Sequence, residues 1–91
     1  MTVALMWEAR AAEGRGAELL EWARARASEL AREPLRSELL RAPQDRVLVL
    51  TWWDVEYDEH GELPELPEPE AGLISRPVHR WRFESLGPAD G

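Results

Sequence analysis

Residues 46–54 read RVLVLTWWD, and their pattern decides the architecture. Val47, Val49 and Trp53 point to one side of an extended chain, and Leu48, Leu50 and Trp52 to the other. A strand covered on one side alternates apolar with polar residues, whereas this one is apolar on both. One helix covers only one face of a sheet. The second face needs another cover, and in so short a chain the simplest candidate is another copy of itself.

Immediately upstream, Ala42, Pro43, Gln44 and Asp45 read as a type I turn with Pro43 in its second position. The preceding LRSELLR (residues 35–41) is either a short helix or a strand, and the turn beside a strong strand favours a hairpin. Residues 3–9 form another strand, with Val3, Leu5, Trp7 and Ala9 on one face and Ala4, Met6 and Glu8 on the other. Between these strands, AEGRGAELLEWARARASELARE (residues 12–33) changes to a helical period. Leu20, Ala23, Ala27 and Leu30 share one face, widened by Leu19 and Trp22. Glutamates lie early in this helix and arginines late, as the helix dipole favours. Pro34 places its end near Arg32.

Downstream, residues 54–70 hold eight acids and no arginine. No period is expected across residues 56–72, and Pro64, Pro67 and Pro69 exclude regular helix or paired strand. Such a segment is extended and mobile unless arginines tie it down, with Leu63, Leu66, Leu73 and Ile74 as anchors on the core. Residues 78–85 close the fold as a strand with His79, Trp81 and Phe83 on one face and Arg80, Arg82 and Glu84 on the other.

The totals narrow the function classes. Ninety-one residues make one domain. The net charge of -7 sits almost wholly in the acidic segment, which repels phosphate backbones, so no nucleic-acid partner is expected. The chain has no cysteine, which removes thiolate nucleophiles and cysteine-bound metals. All eleven basic residues are arginine, so lysine Schiff-base chemistry is absent. No apolar run approaches the roughly 20 residues that span a membrane. The opening MTVALMWEAR lacks a basic n-region and meets Glu8 too soon for a secretory signal, so the expected location is cytoplasmic.

This order of elements resembles the antibiotic biosynthesis monooxygenase family of the dimeric α+β barrel superfamily. ALMWEARAAEGRGAELLEWARA looks like that family's first strand, glycine-containing turn and long helix. SELLRAPQDRVLVLTWWD looks like its second and third strands, with a tryptophan ending the third, and RWRFESL like its closing strand. The resemblance implies an α+β, ferredoxin-like antiparallel four-stranded sheet in a dimeric α+β barrel. Residues 1–86 would form the barrel domain, residues 54–72 an inserted acidic Pro-rich loop, and residues 87–91 a flexible tail. The Pro/Glu loop stands where the family has its second helix. The family's quinone-forming members carry an Asn/Trp/Tyr set. This chain has no asparagine, and of that set holds the tryptophans and Tyr57.

Two functions are expected from these readings. One is a cofactor-independent monooxygenase, or a related binder, acting on an aromatic or polyketide-like small molecule. Trp7, Trp53 and Trp81 would hold the substrate in a dry pocket while His79 and Tyr57 act in catalysis, His79 as the base that deprotonates a bound phenol. No cofactor is called for. The other is a non-catalytic homodimeric module whose aromatics are all packed. His60, in a DEHGE turn, is expected to be solvated. The acidic loop is either a lid over a ligand pocket or a strap at the dimer interface. Arg80 and Arg82 are expected to pair with the chain's own acids, such as Glu8 or Glu84, or with a neighbour's acidic loop.

Overall fold

The computed structural model describes residues 1–55 and 62–90. Four strands and one helix follow in the order β1 (Thr2–Arg10), α1 (Gly16–Ala27), β2 (Arg36–Ala42), β3 (Arg46–Asp54) and β4 (His79–Ser85), with a 3-10 turn at Ala71–Leu73 before β4. The strands form one antiparallel sheet in the order β2-β3-β1-β4, an α+β arrangement of the ferredoxin-like kind. The segment that read as helix or strand is therefore strand from Arg36 onward, pairing Leu39 with Val49 and Leu40 with Leu48.

Register sorts the side chains. Val3 pairs with Trp53, Trp7 with Val49 and Ala9 with Val47, so the buried sets of β1 and β3 share the face that α1 covers. Leu19 and Ala23 of α1 are fully buried there, with Leu20, Trp22 and Ala27 packed around them. The helix stops at Ala27, earlier than Pro34 alone would place it. The Ser28 hydroxyl donates to the Ala25 carbonyl at 2.7 Å, and the Glu29 amide donates to the Arg26 carbonyl in a tighter i→i+3 turn.

The β2–β3 turn is not type I. Gln44 and Asp45 have φ of 67° and 56°, which puts left-handed residues where type I geometry has negative φ. The Asp45 carbonyl accepts the Ala11 amide at 2.9 Å, which pins the turn onto the end of β1. This turn also presses on the start of α1. A Cβ at Gly16 would lie 2.8 Å from Asp45 Oδ1, so a larger residue there would push the Asp45 carboxylate aside.

The acidic segment is extended, anchored by its leucines and tied by arginines as expected, but it carries a period that was not expected. Leu63, Leu66 and Pro69 are buried, while Glu62, Glu65, Pro67, Glu68 and Glu70 are exposed. Burial at every third residue is the signature of a left-handed polyproline II helix, which has three residues per turn. Glu70, at φ -58° and ψ 148°, lies in that conformation. The sequence carries the same period as ELP-ELP-EPE. Residues 62–70 thus form a strap over the helix-side face of the sheet. Leu63 joins Val3, Leu5, Trp53 and Val55, and Leu66 and Leu73 join the group around Trp7. The strap closes with an isolated bridge between Ala11 and Ile74.

Arginines hold the strap. Arg80 donates to the Leu66 carbonyl at 2.7 Å and lies 3.8 Å from Glu65. Arg15 donates to the Gly72 carbonyl at 2.6 Å and lies 3.6 Å from Glu70. A polyproline II segment makes no internal hydrogen bonds, so its free Leu66 carbonyl suits such capture, whereas Gly72 lies just past the strap in the 3-10 turn. Glu68 accepts the Val78 amide at 2.8 Å. Hydrogen bonding to Glu18 raises the Arg15 pKa, and the same bond from Arg15 holds the Glu18 carboxyl below its ordinary range.

Candidate functional site

The proposed pocket residues fall on opposite sides of the sheet. Trp7 is 3% exposed and stacks on Trp22 with ring centroids 5.9 Å apart. Trp53 is 2% exposed and donates from Nε1 to the Thr51 hydroxyl at 2.9 Å. Both belong to the helix-side core. Trp81 pairs with Met6 and His79 with Glu8, which places them on the other face, where their rings meet edge to face at 5.5 Å. The structure therefore brings Trp7 and Trp53 into one core and His79 and Trp81 together on the open face, with the sheet between. Tyr57 and His60 lie outside the described residues.

The helix-side core is filled. Beneath the strap a void of about 10 Å³ touches Leu5, Trp7, Val49, Thr51, Pro64 and Leu66. The larger clefts, about 630 Å³ between the end of α1 and the start of β2 and about 560 Å³ beside the β2–β3 turn, open at the ends of the fold. Among the described residues no tryptophan or histidine lines either one.

The open face is the more informative surface. The register collects Ala4 and Met6 of β1, Leu40 of β2, Leu48, Leu50 and Trp52 of β3, and Trp81 and Phe83 of β4 on it. Trp81 and Phe83 are 50% and 51% exposed. Arg36 lies over the Trp52 ring, 4.9 Å from its centroid, and covers part of that indole. A row of large apolar side chains across four strands is unusual for a surface facing water.

One end of this face carries a buried charge. The Glu8 side chain is 8% exposed and pairs with Arg76, while Arg46 Nη1 and His79 Nδ1 each lie 3.5 Å from a Glu8 oxygen. The pair tethers the segment before β4 to β1 and satisfies a carboxylate that burial alone would penalise. Arg80 and Arg82 were expected to pair with the chain's own acids, Glu8 or Glu84 among them, or with a neighbour's acidic loop. They sit opposite Trp7 and Leu5 and so face the helix side, where Arg80 meets the chain's own Glu65, and Glu8 is held by Arg76. The available signal was the lone acid on an otherwise apolar strand face.

Among the described residues no group of three or more histidine, aspartate or glutamate side chains forms a metal-binding cluster. Among the described residues no helix is long and apolar enough to cross a membrane. Compared with known proteins, the chain matches no family model, no curated protein and no solved structure.

Proposed function

We propose that this chain is a non-catalytic interaction module that forms a homodimer by packing the open faces of two sheets together. The apolar open face carries the reading. Sheets that pack face to face sit about 10 Å apart with interdigitating side chains, and Trp81 and Phe83 stand ready for that role. The shape of the monomer agrees. The chain measures 40 × 30 × 19 Å, a slab of one sheet and one covering layer. It exposes 6062 Å², against about 5,400 Å² expected for a compact monomer of its mass.

The oxygenase reading needs a dry site of several hundred Å³ for an aromatic substrate. The core between helix and sheet offers a void of about 10 Å³, and its tryptophans are used in packing. A residue family resemblance remains the only support for that chemistry, and the interaction module accounts for the aromatics without it.

Sedimentation equilibrium tests the proposal. The wild-type chain at tens of micromolar is expected to run at twice its monomer mass. Phe83→Glu or Trp81→Glu is expected to run as a monomer with unchanged circular dichroism, because a twofold interface counts each substitution twice. Leu86→Glu, at a residue 88% exposed beyond β4, serves as the control and is expected to leave the dimer intact. A wild-type chain that stays monomeric at 100-fold higher concentration would refute the reading.

A further inference from the structure

One end of the open face carries charge that a second copy would cover. Both carboxylate oxygens of the buried Glu8 are already in use: Arg76 bonds Oε1, and Arg46 Nη1 lies 3.5 Å from Oε2. His79 Nδ1 stands 3.5 Å from Oε1, the oxygen that Arg76 holds. Around Glu8 the charged groups are therefore Arg46 from β3, Arg76 from the chain leading into β4, and Arg10 beyond it on the same face of β1. The next side chain on this face of β4 is the uncharged Trp81. One carboxylate already faces two guanidinium groups, so a proton on His79 adds a third positive charge against it. The His79 side chain is 47% exposed, and in the monomer water solvates that charge. Its ring meets Trp81 edge to face, so a second copy that covers Trp81 takes water from His79 as well. Burial disfavours the charged form of a histidine.

We infer that His79 makes the open-face dimer sensitive to pH: two copies hold together while the imidazole is neutral and separate as it takes up a proton. The inference rests on the open-face dimer and names its regulation. An ordinary histidine changes charge between about pH 8 and 5. Association is thus strongest above that range and weakens as pH falls through it. A twofold dimer covers two such rings. In the limit where neither keeps a proton, the dissociation constant rises about a hundredfold for each pH unit below the histidine range. Overall charge acts in the opposite direction. Each chain carries -7 at pH 7 and has a sequence isoelectric point of about 4.8, so acid lowers the repulsion between copies. Carboxylates ordinarily titrate near pH 4, below the histidine range. Weakening in mild acid therefore distinguishes the ring from the net charge.

The test measures the dimer dissociation constant by sedimentation equilibrium at about pH 7.5 and about pH 5.5, at one ionic strength. The wild-type constant is expected to rise at least about tenfold in acid. His60→Gln, which replaces the chain's other histidine, is expected to show the same rise. His79→Gln stays neutral throughout and is expected to change by less than about threefold. A purely structural role for His79 would shift that variant's constant equally at both pH values and leave the acid weakening in place. A second readout needs no change at His79. Dilution calorimetry of His60→Gln near pH 6, in buffers of different ionisation enthalpy, is expected to show proton uptake on dissociation. A dimer that fails to weaken in acid, an equal weakening in His79→Gln, or dissociation without proton uptake would overturn the inference and leave the dimer standing. The monomeric Phe83→Glu is expected to keep its circular dichroism at both pH values; its loss in acid would assign the weakening to unfolding and overturn the inference. A wild type that is monomeric even at about pH 7.5 would refute the dimer itself, and this regulation with it.

Discussion

Truncating Leu66 tests the three-residue strap most directly. Its side chain is 3% exposed and belongs to the group around Trp7. Leu66→Ala removes three carbons from that environment, about 2.4 kcal/mol at ~0.8 kcal/mol per buried methylene. Partial collapse around the enlarged void adds to this, for a total of about 3 kcal/mol, within the range for buried leucines. For a domain of this size, each kcal/mol shifts the melting temperature by about 4–8 °C, so a fall of about 12–24 °C is expected. An alanine scan across residues 62–69 places the result in context. Leu63, 9% exposed, should cost about 2 kcal/mol. Exposed Glu65 and Glu68 should cost about 0.5 kcal/mol or less, and exposed Pro67 no more than about 1 kcal/mol, mostly through the unfolded chain. Urea unfolding followed by far-ultraviolet circular dichroism, at one fixed protein concentration, reads these values. A loss below 1 kcal/mol at Leu66, or a profile with no three-residue spacing, would refute the strap geometry.

Two further outcomes follow from the charged contacts. Arg76→Ala leaves the buried Glu8 carboxylate with only the longer contacts to Arg46 and His79, and should cost about 2 kcal/mol, since Arg76 is itself partly exposed. Glu8→Gln removes the charge together with the need for it and should cost less than Arg76→Ala in the same urea assay; the reverse order would count against the buried-carboxylate account. Arg15 lowers the folded-state pKa of Glu18, so that pair's contribution is present at neutral pH, above the unfolded-state value, and is lost as pH falls through the folded-state value. The stability gap between wild type and Glu18→Gln, both read as urea midpoints, should be small because the pair is exposed, and should close below about pH 4. A gap that widens in acid would contradict the sign.

The face assignments show how far local pattern reaches. Within each strand, alternation was legible: His79, Trp81 and Phe83 share a face, as do Val3, Leu5 and Trp7, and Trp52 and Trp53 point apart. Joining those faces into one pocket required the register between strands. A shift of one residue exchanges every side chain between faces, so alternation within two strands never decides which faces coincide. Only the pairings of Met6 with Trp81 and Trp7 with Arg80 place Trp81 and His79 across the sheet from Trp7 and Trp53.

Element order and the strand identity of β1, β3 and β4 were set by the chain itself, because they rest on local periodicity; residues 35–41 stayed open between helix and strand until pairing with β3 decided them. The hairpin between β2 and β3 was favoured for the same reason, although its turn type was not legible: Gln44 and Asp45 adopt left-handed backbone in a turn whose Asp45 carbonyl accepts the distant Ala11 amide. The ELP triplets of the strap were visible in the sequence, but a period of three has no partner within a strand or a helix. It acquires meaning only when tertiary structure supplies a groove along β1 that buries one residue in three and an arginine from β4, Arg80, that binds a carbonyl the polyproline II segment leaves free.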